Sequence, residues 1–253
     1  MNQRISLVES IKLATTGPNE ACHFIEAFSR EWLDVRTNID VYSNTEITQT
    51  ENRLGFPLPA PISTIYNILG QGSDITTSHG NILPLDELRQ DLSAGVLIWR
   101  IEDEGEMEFA VGYEADDPAD PAELFRADSA DGPTPWEVWR DTISSSCVEI
   151  LLEKALYNGP DDLRLAFSAE SDIVATYIKN AYSHVKLPSR SWGSRSEWLI
   201  GENSFMKVTT SQNTPTGDPW RDAQAGRSYV AFRGKNQTVT NAVRQQLTQL
   251  MNM

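Results

Sequence analysis

The sequence predicts an α+β fold in which an antiparallel sheet is flanked by helices. Three features predict it: apolar residues at helical spacing near the N-terminus, two adjacent strand-like segments in the middle, and further strands followed by a closing helix. The chain has 253 residues, of which 40% are hydrophobic, which is enough for a sizeable core. Because it contains no internal repeat and no long linker, we expect a single domain over residues 1–253.

Three helices are predicted in the first 70 residues. The first covers 20–35, with Asn19 available as its N-cap, and the second covers 45–54 and stops at Gly55 in a left-handed conformation. A third helix opens at a pair of prolines and ends at Gly70. The apolar stripe of the first helix consists of Ala21, Phe24, Ile25, Phe28 and Trp32, and that of the third consists of Ile62, Ile65, Tyr66 and Leu69.

The middle of the chain predicts a β-hairpin. The segment VLIWRI (96–101) is rich in β-branched residues, and MEFAVGY (107–113) alternates apolar with polar or small residues. The link between them centres on Gly105, which suits a short turn. Residues 114–133 hold three prolines and seven acids without apolar periodicity, so we expect them to form an exposed excursion.

Helices and strands alternate in the C-terminal half. The run Thr134-Pro135-Trp136-Glu137 matches a capping box, which predicts a long helix that continues to Leu156 and stops at Gly159-Pro160. Another helix is predicted over 169–184. The remaining elements are three strands, SEWLIG, SFMKVTT and RSYVAFRG, and an amphipathic helix over 239–251.

The negative charge of the chain is concentrated in one segment. Residues 101–131 contain twelve acidic side chains and one basic side chain, Arg126, and so contribute −11 of the formal net charge of −15. From Lys186 to the C-terminus the balance reverses, to nine basic against four acidic residues. Three interpretations stay open: a solvated loop that keeps the protein soluble, a surface for a basic partner, or a segment that packs on the chain's own basic region.

Composition excludes several classes of protein. The net charge of −15 and a pI near 4.6 argue against binding to nucleic-acid phosphates. No run of about 20 apolar residues is present, so we expect no membrane span, and the first residues lack the apolar stretch of a secretory signal. Two cysteines, Cys22 and Cys147, fit a reducing compartment, and we expect a cytoplasmic protein.

The sequence offers little catalytic chemistry. None of the three histidines has a second histidine at metal-ligand spacing, and no phosphate-binding or nucleophile-elbow motif occurs. Cys22 and His23 are helical neighbours about 100° apart, so they face different directions and form no nucleophile–base pair. We expect no catalytic residue, metal or cofactor. The alternative, an enzyme, would need a deep polar pocket with convergent titratable groups.

Four landmarks in order carry a family resemblance. The run ENRLGFPLPAPISTIY (51–66) resembles the opening signature of the SUKH superfamily of Smi/Knr-type proteins, and ILPLDEL (82–88) and the hairpin 96–113 resemble the next two. Family members often have Asn-Gln-Gly and a tryptophan in this hairpin, where this chain has Asp103-Glu104-Gly105 and Phe109. The helix from Trp136 to Tyr157 is the fourth landmark. The resemblance covers residues 43–157, with helices at 3–35 before it and strands and a helix at 158–253 after it.

The resemblance implies an α+β binding module rather than an enzyme. Many bacterial members are immunity proteins that bind and block a polymorphic toxin, often a nuclease or deaminase, whereas fungal members are linked to cell-wall synthesis and signalling. We therefore expect an immunity protein that neutralises a basic toxin domain by direct binding. The alternative is a regulatory or scaffold protein of the same type without a toxin partner.

The charge pattern and the resemblance together suggest where a partner would bind. A toxin that cuts nucleic acid needs a basic, phosphate-binding cleft, and a dense acidic segment is complementary to such a cleft. The predicted partner-binding residues are Glu102, Asp103, Glu104, Glu106, Glu108, Asp116 and Asp117.

Overall fold

In a computed structural model, the chain forms two compact units. Unit A comprises Leu13–Asn158, and unit B comprises Met1–Lys12 together with Gly159–Met253. The structure describes residues 6–33, 41–70, 76–77, 80–102, 105–128, 132–158, 160–170, 182–185, 187, 194–211 and 227–251. The boundary at 158/159 lies one residue beyond the predicted end of the 43–157 region, and the single-domain organisation stays a prediction.

The described residues form helices and antiparallel strands, which confirms the predicted α+β class. The α-helices are α1 (Leu7–Ala14), α2 (Pro18–Trp32), α3 (Asn44–Leu54), α4 (Ala60–Leu69), α5 (Ile143–Asn158) and α6 (Gln237–Met251). The strands of unit A are β1 (Thr76–Thr77), β2 (Gly80–Ile82), β3 (Arg89–Asp91), β4 (Val96–Ile101), β5 (Met107–Gly112), β6 (Glu123–Ala127) and β7 (Glu137–Arg140). Those of unit B are β8 (Arg164–Glu170), β9 (Ser183–Val185), β10 (Ser194–Ile200), β11 (Ser204–Ser211) and β12 (Arg227–Gly234). Within the described part of the chain, no helix is both long enough and apolar enough to span a membrane.

Unit A is built on a seven-stranded antiparallel sheet. Its strand order is β1-β2-β4-β5-β6-β7, and β3 pairs with β4 beside β2. Helices α2, α4 and α5 pack against one another, and α5 contacts β1 and β7. The predicted hairpin is confirmed, since β4 and β5 pair directly from Val96–Gly112 to Ile101–Glu108.

The predicted N-terminal helices are confirmed, with one correction at a helix start. All five residues of the predicted α2 stripe are buried, and α3 ends at Gly55 with φ +85°. However, Asn19 lies inside α2, because Pro18 occupies the first turn and Gly17 is the N-cap. Ser43 caps α3 in a capping box with Glu46.

The predicted helix start at Thr134 is wrong. Residues Glu137–Arg140 form β7, which pairs with β6, and α5 begins only at Ile143. The Thr134 hydroxyl accepts from the Ala127 N–H, and the Thr134 N–H donates to the Ala127 carbonyl oxygen. The residue that resembles a helix cap therefore extends the backbone pairing of a strand instead.

The acidic stretch 114–133 is only partly the exposed excursion that its composition predicts. It contains β6, where Glu123 and Phe125 alternate with the less buried Leu124 and Arg126. Asp120 accepts from the Ser144 N–H at 2.8 Å and so caps the N-terminus of α5. These carboxylates stabilise the fold, which composition alone does not reveal.

Unit B contains a five-stranded antiparallel sheet in the order β8-β12-β11-β10-β9. Helix α6 covers one face through Val243 and Leu247, which pack in a core with Leu199, Met206, Val208, Val230 and Phe232. The three predicted strands and the closing helix are confirmed. The prediction of a helix over 169–184 is wrong at both ends, because the first two residues belong to β8 and the last two belong to β9. Residues 171–181 lie outside the described residues.

Candidate functional site

The predicted partner-binding carboxylates lie at two opposite ends of β5. Glu102 and Glu106 belong to the turn between β4 and β5, whereas Asp116 and Asp117 follow the other end of β5. Six residues of strand separate the groups, a length of about 20 Å. Asp103 and Glu104 lie outside the described residues. A partner would have to span the strand to contact both groups.

At the turn, Glu102 is half-buried and Glu106 is exposed. The Glu102 N–H donates to the Met107 carbonyl oxygen at 2.8 Å, and its carbonyl oxygen accepts from the Gly105 N–H at 2.8 Å. The Glu106 carbonyl oxygen accepts from the Asp128 N–H, which places the exposed Asp128 at the same end of the sheet. Asp128 is absent from the predicted set, although its position just after a strand of the acidic segment could have suggested it.

At the other end of β5, Asp116 and Asp117 are both exposed. Asp117 Oδ1 accepts from the N–H groups of Ala119 and Asp120 at 3.1 and 3.4 Å, which fixes the local turn. Glu114 is a further exposed carboxylate at this end. Each end of the sheet thus has its own group of exposed acids.

Glu108 differs from the other predicted residues because two arginines neutralise it. Its Oε1 lies 2.5 Å from Arg89 Nη2, and its Oε2 lies 2.6 Å from Arg126 Nη2. Arg126 also binds Asp91, with Nη1 and Oδ2 at 2.8 Å. The sequence predicts Glu108 as part of the acidic surface from its charged neighbours, and it does not indicate the pairing with Arg89, which lies 19 positions away.

Trp136 completes this cluster on the outer face of the sheet, the face that carries Glu108. The guanidinium carbon of Arg126 lies 4.4 Å from the centroid of the Trp136 ring, and the indole Nε1 donates to Asp91 Oδ2 at 3.2 Å. We call Arg89, Asp91, Glu108, Arg126 and Trp136 the outer cluster. Hydrogen bonds from Ser93 and Trp136, together with the charge of Arg126, lower the pKa of Asp91 to about 2.

The outer cluster shows that the sheet curls around its outer face. Asp91 is on β3 and Arg126 is on β6, and β4 and β5 lie between those two strands. In a flat sheet the two strands would be about 14 Å apart, too far for a direct contact between their side chains. The outer face is therefore concave around the cluster.

The opposite, inner face carries buried ion pairs. Arg100 Nη2 lies 3.1 Å from Glu123 Oε1, and Ser146 of α5 donates to the same carboxylate. Both charged side chains are almost inaccessible, and the Arg100 guanidinium lies 3.8 Å from the centroid of the Phe109 ring. A second buried pair joins Arg140 to Glu149 of α5. The sequence did not indicate these pairs, because their members lie 23 and 9 positions apart on different elements.

The cysteines are poor nucleophiles in this environment. Cys147 is fully buried, and burial raises the pKa of its thiol well above the usual value. Burial also raises the pKa of Cys22, against the opposing effect of a hydrogen bond from the Thr64 hydroxyl at 3.2 Å. Because the thiolate is the reactive form, neither environment activates its sulfur.

Unit A contains two cavities with polar linings. One of about 560 Å³ lies between α2 and α4, and its charged groups, Glu26 and Arg30, form an ion pair of 3.1 Å. The other, of about 360 Å³, is lined by Tyr42, whose pKa is raised first by burial and then by nearby carboxylates. Each cavity is lined by a hydroxyl and a carboxylate, Ser29 with Glu26 in the first and Thr50 with Glu46 in the second. No hydrogen bond joins the members of either pair of described side chains, so neither hydroxyl has a base in position to activate it. Across the described ranges, no three His, Cys, Asp or Glu side chains converge to hold a metal ion, and the absence of metal, cofactor and catalysis stays a prediction.

No protein-family model, curated protein or solved structure shows significant similarity to this chain.

Proposed function

We propose that this chain is a non-enzymatic, cytoplasmic protein-binding module of SUKH type that neutralises a basic partner, in bacteria a nuclease-type toxin domain, by direct binding. The observation that carries the proposal is the state of the acidic side chains in unit A. Exposed carboxylates remain at both ends of the sheet and form no ion pair with any described residue: Glu106, Glu114, Asp116, Asp117 and Asp128.

The arginines of this region cannot neutralise those carboxylates because other acids already bind them. Within the outer cluster, Arg89 pairs with Glu108 and Arg126 pairs with Asp91. On the inner face, Arg100 pairs with Glu123. The negative charge of the exposed carboxylates is therefore not neutralised by these arginines, and its electric field extends into solvent. Such a field raises the association rate with a basic surface and disfavours acidic partners.

The first two landmarks of the SUKH resemblance contact each other in the fold. Glu51 Oε1 accepts from the Leu58 N–H at 2.9 Å, so the acid of the first landmark holds the Leu-Pro loop that follows it. Arg53, in the same landmark, donates to the carbonyl oxygens of Leu85 and Leu88 in the second landmark, at 2.6 and 3.1 Å. These contacts give the motif residues a common structural role.

The proposed mechanism is electrostatic occlusion. A nuclease binds nucleic acid through a basic cleft, and carboxylates that occupy the cleft replace the phosphates. Because contacts between exposed charges are screened, the complex should weaken as the salt concentration rises.

The first experiment is a pull-down from the native host, or with the product of the neighbouring gene, at low and high salt. A stoichiometric basic partner that high salt releases would support the proposal, and its identity would name the toxin class. Recovery of no partner at either salt concentration would shift the assignment to a regulatory or scaffold protein of the same type. In that case the two carboxylate groups, which the length of β5 separates, would act as a solubilising surface.

Charge reversal then locates the binding surface. We expect E106K/D128K at one end of the sheet, or E114K/D116K at the other, to weaken partner binding at least about tenfold at low salt and to reduce its salt dependence. The matched control is D86K/E87K, which reverses two exposed charges of unit A outside the predicted face. Unchanged affinity and salt dependence in both test variants would refute the proposed surface.

A further inference from the structure

Two arginines face each other across two strands of unit B. Arg164 opens β8 and Arg233 lies near the end of β12, and they are direct partners in the antiparallel register. Side chains in such positions have Cβ atoms about 5 Å apart, and like charges there repel each other. The pairing is therefore unfavourable unless a negative group lies beside it.

Arg233 is buried and forms no ion pair with a carboxylate among the described residues. The residue is only 4% exposed, and its Nε and Nη1 atoms have no hydrogen-bond partner among the described residues. A guanidinium stays protonated at any physiological pH, so burial does not remove its charge. An unpaired buried charge is strongly destabilising, and two unsatisfied donors add to that cost.

The neighbouring acids do not balance the two arginines. Asp161 binds Arg164 Nη2, but the Asp161 side chain is 93% exposed, and exposed ion pairs contribute little. The Nε of Arg164 is buried and also has no partner in the described part of the chain. Burial and the charge of Arg164 lower the pKa of Arg233, and Asp162 opposes this shift only in part.

We propose that Arg164 and Arg233 form a binding site for a phosphate-type oxyanion. Guanidinium groups present planar pairs of N–H donors that match phosphate oxygens, and a dianion balances two arginines. The Arg164 side chain is 28% exposed, so an anion from solvent can contact it, and Arg233 is its direct partner across the two strands. The site uses residues of unit B alone and does not depend on the proposed toxin partner.

The test uses the full chain and isothermal titration calorimetry with sodium phosphate at pH 7.5, compared with sodium chloride at equal ionic strength. We expect one phosphate per chain and no specific heat with chloride. Phenyl phosphate serves as a second probe: comparable binding would identify the phosphate group of a larger molecule as the ligand, and binding of inorganic phosphate alone would identify the free ion. Absence of binding by both probes would overturn the proposal.

Variants assign the binding to the two arginines. We expect R233M to raise the Kd for phosphate at least tenfold, and R233K to weaken binding because the ammonium lacks the paired donors. R244M, which removes an exposed arginine of α6, is the matched control and should bind like the original chain. If R233M does not fold, R164M provides the same comparison at a partly exposed position. Equal phosphate affinity in the arginine variants and the control would also overturn the proposal.

Discussion

At the scale of single residues, Glu123 shows that an acid in the most acidic segment can belong to the core. It is 0% exposed and binds both Arg100 and Ser146. We predict that E123Q lowers the free energy of unfolding by about 3–5 kcal/mol, because it leaves the buried Arg100 charge without this carboxylate. Urea denaturation followed by circular dichroism measures the change.

The matched control is E114Q, which makes the same change at an exposed carboxylate of the same segment. Its effect on unfolding should stay within about 0.5 kcal/mol. A loss of stability in E123Q no greater than that in E114Q would show that the buried pair contributes little.

Asp91 gives a pH-dependent prediction at the same scale. Its pKa is about 2 in the folded chain and 3.8 in its reference state, so its contribution to stability is present above pH 3.8 and is lost as the pH falls towards 2. We predict that D91N costs about 1–2 kcal/mol at pH 7, allowing for solvent screening, and that this cost shrinks below pH 4. Urea denaturation between about pH 3 and pH 7 measures it.

D128N is the control for this series, because Asp128 is exposed and forms no ion pair with a described residue. The difference between this variant and the original chain should not follow the pH profile of D91N. A D91N penalty that stayed constant down to pH 3 would mean that Asp91 acts through packing rather than through its charge.

At the scale of elements, the sequence predicted those whose signal is local. The α2 stripe, the cap of α3 at Gly55 and the β4–β5 hairpin depend on residues close together in the chain. The start of α5 was mispredicted because Thr134 and Glu137 have the spacing of a capping box, whereas the backbone of Thr134 pairs with Ala127 across the sheet. Local pattern could not show which partner Thr134 would take.

The orientation of helix α5 is another feature that the local sequence pattern does not predict. Residues 143–156 are buried on all sides, including Ser144, Glu149, Glu153 and Lys154, so polar residues do not mark a solvent-facing stripe. A helix of this kind gives no amphipathic signal from which its orientation could be predicted. The partners of its charged side chains come from elements distant in the chain, such as Arg140 for Glu149.

Gly80 provides a prediction about how β2 meets β4. It has φ +126°, and an added Cβ would lie 2.1 Å from the Ile101 carbonyl oxygen. We predict that G80A destabilises the chain by more than about 3 kcal/mol, since backbone strain and a backbone clash combine. Urea denaturation measures the loss of stability.

G55A separates the two effects, because Gly55 also has positive φ but no atom within 4 Å of the added Cβ. Its cost should be only about 1–2 kcal/mol, the cost of a left-handed conformation for alanine. If G80A lost no more stability than G55A, the result would contradict the close approach of Gly80 to the Ile101 carbonyl oxygen of β4.

At the scale of the whole molecule, composition predicted the acidic character of the candidate surface but not its layout. The sequence identified a segment of net charge −11 in 31 residues, yet it could not show that Glu108 would be neutralised by Arg89 and Arg126. Nor could it show that Asp116 and Asp117 would lie a strand's length from Glu106. Charge density is a property of the sequence, whereas ion pairing depends on which strands become neighbours.

The net charge of −15 leads to a prediction about stability in salt. Excess like charge destabilises a compact state, so screening it should stabilise the fold. Raising NaCl from about 20 to about 300 mM shortens the Debye length from about 20 to about 6 Å. At pH 7.5 we therefore predict that Tm rises by about 2–4 °C, the equivalent of about 1 kcal/mol, measured by scanning calorimetry. Near pH 5, close to the pI of 4.6, the rise should almost vanish because little net charge remains to be screened.

Salt also weakens exposed ion pairs, of which Arg89–Glu108 in the outer cluster is one, and this effect has the opposite sign. A Tm that fell with NaCl at pH 7.5 would therefore show that such pairs outweigh the repulsion among the exposed carboxylates.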